Sequence, residues 1–286
     1  MPSREIKLQL KASLKDLKNV IVENIDSKAL NSLKDVDCLI IDECHHVAAK
    51  TYQRLNKMVW NGIYYRYMLT ATPFRNQESE QLLFEGIAGK VIYELTYQDA
   101  VKNNYICPVE AFYHKLPKTN VAGYTWAQVY SELVVNNEHR NLVIAKTLLQ
   151  LNAAGVATLC LVKEVAHGDT LSALTNLPFA NGKDDDTRQF IKEFNEGRLK
   201  TLIGTTGILG EGVDTKPCEY VVIAGLGKAK SAFMQQVGRA IRRYPGKESA
   251  KVILFRDPSH KWTLAHFNAQ KQILLVEYGI SVIALD

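Results

Sequence analysis

Asp42 and Glu43 stand side by side directly after the aliphatic run CLII (residues 38–41), and Cys44, His45 and His46 follow them. Adjacent carboxylates at a strand end can hold Mg²⁺ through one set of oxygens and polarise a water with the other. The same residues also suit a solvated polar strand end. Zinc is disfavoured, because Cys44, His45 and His46 have neither the ligand spacing of a finger nor an H-E-x-x-H helix. A second group lies in YMLTATPF (67–74), where Thr70 and Thr72 alternate onto one side of an extended segment ended by Pro73. Two hydroxyls facing one way near a carboxylate pair make a hydrogen-bond relay, and by themselves they make only a β-prone polar strand.

Cations gather in QQVGRAIRR (235–243). If that stretch is helical, Gln235, Arg239 and Arg242 fall at i, i+4 and i+7 and share a face, while Gly238 lets another backbone or a ligand come close. Two guanidiniums with no acid in the segment are either a solvated basic helix end or a clamp for a phosphate. Upstream, TLIGTTGILGEGVD (201–214) carries Thr205, Thr206, Glu211 and Asp214 among Gly207, Gly210 and Gly212. Such glycines leave backbone N–H groups free to line a phosphate-binding surface. Between these two stretches, GLGKAKSAF (225–233) offers Lys228, Lys230 and Ser231 to a phosphate or to solvent.

The elements that must hold these residues read as a parallel α/β architecture. Short apolar runs at VIVENI (20–25), CLII, YMLTAT (67–72), ATLCLV (157–162), TLIGT (201–205), YVVIAG (220–225) and KVILF (251–255) alternate with longer helical patterns. In an open sheet of this kind, ligands collect beyond the carboxyl ends of the strands, where Asp42 and Glu43 stand. A polar, aromatic and proline-bearing stretch after residue 96 marks a boundary near 98–107, giving a first domain over 1–98 and a second over 99–286. The pattern of residues 128–155 predicts one helix closed by Gly155, and Asp186 is placed to cap the helix that follows it.

The chain has 286 residues, 47% of them apolar, enough for one large core or two modest ones. A net charge of +5 from 35 basic and 30 acidic residues is a mixed surface, compatible with a polyanion without demanding one. Five widely spaced cysteines without a C-x-x-C argue against a disulfide framework or a zinc ribbon and imply a reducing, intracellular, cytoplasmic setting. No apolar run approaches the roughly 18 residues of a membrane span, and the charged start does not read as a signal peptide.

Taken together, these stretches resemble the superfamily 2 helicases of the DEAD/DEAH group. DECHH is similar to motif II of that family, TAT (70–72) to motif III, ATLCLVKEVAHGDTLSAL to motif IV, IGTTGILGEGVD to motif V and QQVGRAIRR to motif VI. VENIDSKAL (22–30) resembles the strand and loop before motif II that touch the nucleic-acid backbone, which puts Ser27 among the candidate contacts. The resemblance implies a partial first RecA-like domain carrying motifs II and III, then a complete second RecA-like domain carrying motifs IV to VI. ATP would bind between them and nucleic acid would run across both.

Under that resemblance Asp42 organises Mg²⁺ and Glu43 activates the attacking water, while His45, Thr70 and Thr72 couple nucleotide to the bound strand. Arg239 and Arg242 reach the γ-phosphate with Gln235 ordering the site. Asp214 contacts the ribose or an arginine, and Gly212 and Gly238 allow close approach. Gly212 with Thr205 or Thr206 approaches the nucleic-acid phosphates, as Lys228 and Lys230 do from their loop. The forms of motifs V and VI look more like phage and DNA-repair helicases than RNA-remodelling ones, so DNA is favoured over RNA, in the host cytoplasm if the gene is phage-borne. Motif IV lacks the aromatic the family carries near its strand end, and neither Lys163 nor His167 takes a role from it.

One family part has no counterpart in the sequence. No segment matches G-x-x-x-x-G-K-[ST], and GIAGK (86–90) and GLGKAKS (225–231) have the wrong spacing. The P-loop backbone and lysine cradle the β- and γ-phosphates and its Ser/Thr ligates the metal. ATP hydrolysis is therefore expected to need a P-loop-bearing amino-terminal segment or partner chain. A first domain without its remaining strands is also expected to expose edges and apolar faces and to associate. The alternative is a non-enzymatic module that binds nucleic acid or a motor partner without turnover.

Overall fold

The computed structural model describes residues 4–33, 35–44, 49–70, 78–121, 125–209, 215 and 217–285. They divide into two units, Met1–Glu94 and Leu95–Asp286.

The first unit runs α1 (Arg4–Ser13), a 3₁₀ turn (Lys28–Ser32), β1 (Cys38–Ile41), α2 (Lys50–Met58), β2 (Tyr65–Met68) and α3 (Glu78–Ala88). β1 and β2 pair in parallel, Cys38 opposite Tyr65 and Ile41 opposite Met68. Alternation splits their side chains between two faces. Leu39, Ile41 and Met68 pack with Leu30, Leu55, Trp60 and Phe84 into a small core. On the other face Ile40 is 64% exposed, Tyr65 55%, Tyr67 46% and, just past β2, Leu69 52%. Parallel sheets are ordinarily covered on both sides, so these two strands have the composition of an interior sheet and the exposure of a surface. The strand expected at residues 20–25 does not form, and Val20 and Ile21 are exposed. Apolar residues alone do not make a strand; the backbone needs a ladder partner, and none of the described strands pairs there.

The second unit runs α4 (Tyr97–Lys102), β3 (Val109–Lys115), α5 (Trp126–Tyr130), a π-helical turn (Ser131–Val135), α6 (Glu138–Ala153), β4 (Thr158–Val162) and α7 (Val165–Thr175). It continues through β5 (Phe179–Ala180), α8 (Thr187–Asn195), β6 (Thr201–Thr205), α9 (Thr206–Leu209) and β7 (Tyr220–Ile223). α10 (Lys230–Ala240), β8 (Ala250–Arg256), α11 (Lys261–Tyr278) and β9 (Val282–Leu285) complete it. Seven strands form one parallel sheet in the order β5-β6-β4-β7-β8-β3-β9.

Its central strands are near-continuous apolar runs because both faces are buried. Leu159, Leu161, Leu202, Val221 and Leu254 pack towards Phe194 of α8, Phe233 and Val237 of α10, and Phe267 and Leu274 of α11. Cys160, Val162, Ile203, Val222 and Ile253 pack on the opposite side with Ile144 and Leu148 of α6 and Leu171 of α7. This three-layer arrangement, helices on both faces of a parallel sheet, is the expected α/β class.

Two local expectations are corrected. Residues 128–155 are not one helix: Asn136 ends the π-helical turn, and the Asn137 side chain accepts the Arg140 N–H at 2.9 Å to start α6. Asp186 occupies the position before α8 without a capping hydrogen bond. β3, which was not among the expected strands, pairs with both β8 and β9.

Candidate functional site

In the first unit the carboxylates follow β1 and are fixed by its pairing with β2. Beyond the register, Leu69 N donates to Ile41 O at 2.8 Å and Cys44 N donates to Leu69 O at 2.9 Å, so the backbone of residues 41–44 is tied to the end of β2 on both sides of the acid pair. The Asp42 carboxylate accepts the Glu43 N–H at 2.9 Å. Glu43 has φ of 50°, a left-handed conformation that non-glycine residues adopt rarely. That conformation turns the chain so that both acids are exposed while Cys44, 1% exposed, drops into the small core. Thr70 lies half-buried two residues past β2. His45 and Thr72 lie outside the described residues.

In the second unit α10 carries Gln235, half-buried, and Arg239, 6% exposed. A Cβ on Gly238 would meet nothing within 4 Å, so the helix is open there. The expectation that Arg242 shares this helical face is corrected, because α10 ends at Ala240 and Arg242 instead bridges antiparallel to Ile106. Several groups hold this turn. Cys107 N donates to Ile241 O at 2.8 Å, and Arg243 donates to Asn104 Oδ1 at 2.7 Å. Lys247 Nζ donates to Cys218 O at 2.6 Å, to Arg242 O at 2.8 Å and to Ala240 O. A cation at a helix carboxyl end satisfies carbonyls the helix leaves orphaned. Burial pulls the Lys247 amine below its ordinary range, against the opposing pull of Cys218, Cys107 and Glu219.

The other candidates sit at or near strand and helix ends. Thr205, 8% exposed, is the last residue of β6, and Thr206 opens α9. Gly204 between them and the core is required by packing, since an added Cβ would lie 2.3 Å from Leu209 Cδ1 and 3.2 Å from Ala180 O. Gly212 and Asp214 lie outside the described residues. Lys228 is exposed in the loop after β7, while Lys230 pairs with Glu277 at 2.7 Å. Ser27, in the first unit, caps the 3₁₀ turn by accepting the Ala29 N–H at 3.3 Å and helps lower the Glu23 pKa, behind Lys7. Among the described residues no cluster of three His, Cys, Asp or Glu forms a metal cage. An exposed Asp42–Glu43 pair suits Mg²⁺, which binds through one or two carboxylates plus substrate phosphates and keeps its waters.

The comparisons with known proteins fall on the same stretches. The family described as "Helicase conserved C-terminal domain" matches residues 130–244, and "Type III restriction enzyme, res subunit" matches residues 5–75. A protein of Sulfolobus islandicus filamentous virus provisionally named helicase 22 is 26% identical over 252 residues, covering 80% of this chain and 44% of the relative. The ATP-dependent DNA helicase UvsW of Enterobacteria phage T4 is 22% identical over 223 residues, covering 74% and 44%. These matches make the chain similar to the superfamily 2 helicases. Its fold is similar to that of S. cerevisiae Dbp5 bound to RNA and ADP BeF3, with a TM-score of 0.61 at 14% identity over 99% of this chain and 75% of that one. The chain spans less than half the length of the two curated relatives. Among the described residues no helix is long and apolar enough to cross a membrane.

Sequence reasoning missed the groups that brace the arginine turn. Cys107 and Asn104 lie far before the 239–243 segment in the chain and only the fold brings them to it, while Lys247 follows it closely but belongs to no motif. Pro245 and Gly246 after the arginines signalled a turn, without revealing which side chain would close it.

Proposed function

We propose that this helicase chain takes part in ATP-dependent movement along nucleic acid, DNA in preference to RNA, and that hydrolysis requires a G-x-x-x-x-G-K-[ST] segment supplied by further polypeptide or by a partner chain. The observation that carries the reading is the exposed Asp42–Glu43 pair, held at the carboxyl end of a parallel strand by backbone bonds to Leu69. A module that only binds nucleic acid has no use for a water-activating carboxylate. DNA is favoured by the form of motifs V and VI and by the similarity to a phage protein named as a DNA helicase.

Asp42 keeps acceptor capacity beyond the Glu43 N–H and would hold a magnesium ion or one of its waters. Mg²⁺ bound with ATP would supply neutralisation of the charge that develops on the phosphates. Glu43 orients the attacking water and accepts its proton. Arg239 and Arg242 direct guanidiniums to the γ-phosphate, and Gln235 orders that contact. Asp214, Gly212 and Gly238 serve nucleotide approach; His45, Thr70 and Thr72 couple the site to the bound strand. Ser27, Thr205, Thr206 and Lys228 contact nucleic-acid phosphates, and Lys230 joins them on leaving Glu277, since an exposed ion pair contributes only about 0–1 kcal/mol.

The test is nucleic-acid-stimulated ATP hydrolysis by the chain alone and after addition of a P-loop-bearing amino-terminal segment. Turnover is expected only with the added segment. Equal, nucleic-acid-stimulated turnover by the chain alone would remove the requirement for an external phosphate cradle.

A further inference from the structure

An aromatic cluster that no helicase motif includes lies at the carboxyl ends of β4 and β7. Trp126 and His266 are 4.3 Å apart between ring centroids at 39°, and Trp262 meets Trp126 edge-on at 6.2 Å. Trp126 also packs edge-on against Tyr130 at 5.4 Å. Trp126, Trp262 and His266 are only half-buried, and Trp126 packs against the small core of Tyr130, Val134, Val135 and Leu226.

Lysines surround the rings. Lys163, the residue after β4, sets its ammonium 5.3 Å from the Tyr130 ring centroid, and Lys261 lies 5.7 Å from that of Trp262. Lys228 approaches from the loop after β7. The His266 imidazole is held below its ordinary range by burial first and then by Lys228 and Lys163, which puts both cations within electrostatic reach of the ring. Glu164 opposes them, facing Tyr130. The buried His266 Nδ1 has no hydrogen-bond partner. A purely structural cluster would satisfy that nitrogen and would not draw lysines from separate loops onto its rings.

We propose that Trp126, His266 and Trp262 form a stacking platform for a base of single-stranded nucleic acid, with Lys163 and Lys228 holding the flanking phosphates. Stacking on an aromatic face is tolerant of sequence because every base has a π-face, and lysines beside it track the backbone. The platform rests on the nucleic-acid reading above and adds a contact to bases where that reading supplies contacts to phosphate.

The test titrates the full chain with a dT oligonucleotide and with an abasic oligonucleotide of equal length, following both affinity and tryptophan emission. Thymidine is expected to quench emission and to bind about tenfold more tightly than the abasic strand. That preference collapses in Trp262→Ala and in His266→Ala, which spare the Trp126–Tyr130 packing, and each variant's thermal transition is checked against the parent. Equal affinity for the two oligonucleotides, without quenching, overturns the platform while leaving phosphate binding intact. Failure of the parent to bind either strand overturns the platform and the nucleic-acid reading together.

Discussion

The Lys247 ammonium donates to the carbonyl oxygen of Arg242 at 2.8 Å, and the same nitrogen reaches the carbonyls of Cys218 and Ala240. One cation thus closes α10 and fixes the backbone that carries both Arg239 and Arg242. Lys247→Met keeps most of the side-chain length and removes the donor. We expect it to cost about 1–3 kcal/mol in urea unfolding, because three carbonyls lose a charged partner. An unchanged midpoint would show that water replaces the ammonium without loss.

Gly204→Ala tests how the strand that opens motif V is packed. The added methyl would lie 2.3 Å from Leu209 Cδ1 and meet the Ala180 carbonyl at 3.2 Å, and backbone cannot yield as a side chain does. Overpacking of this kind costs about 1–3 kcal/mol. A thermal transition lowered by several degrees is expected, and no change would mean that Leu209 repacks freely.

His167 is fully buried, with Nε2 3.0 Å from Asn141 Oδ1, and burial, aided by Arg140, holds its pKa down to about 3. The unfolded chain protonates this ring near pH 6.5, so below that value the unfolded state binds more protons. Stability is full above about pH 6.5 and declines as pH falls towards 3. Moving from pH 7.5 to 5.5 is expected to cost roughly 1.4 kcal/mol from this residue. Urea midpoints at the two pH values measure it, and the difference should shrink in His167→Gln. An equal difference in the variant would assign the pH dependence elsewhere.

What the sequence disclosed and what it withheld follow the range of the interactions. β4, β6, β7 and β8 were legible because a strand buried on both faces is a continuous apolar run, a local property of a few residues. β3 was hidden, since VEAFYHK alternates and shares its stretch with prolines and polar residues that mark boundaries. Residues 20–25 misled in the opposite direction, carrying a strand's composition without a ladder to join. The acid pair and the arginines were legible as spacings, whereas the end of α10 before Arg242 depends on Lys247 and Cys107, which no periodicity connects to it. The aromatic cluster joins residues from α5 and α11 and was invisible for the same reason.

The exposed face of β1 and β2 carries a prediction for the first unit. Ile40, Tyr65, Tyr67 and Leu69 present apolar surface that monomeric proteins seldom leave in one patch. Concentration-dependent association is expected in sedimentation velocity, and it should fall in Ile40→Thr/Leu69→Thr, whose side chains point away from the small core. A monomer at all concentrations would show that the patch is tolerated.

The most direct measurement compares the parent chain with Glu43→Gln in ATP hydrolysis, both supplied with the P-loop-bearing segment and single-stranded DNA. The amide keeps the shape of the carboxylate and cannot accept the water's proton. Turnover is predicted to disappear in the variant while DNA binding persists. Turnover retained at the parent rate in Glu43→Gln would contradict the assignment of the Asp42–Glu43 pair as the hydrolytic element.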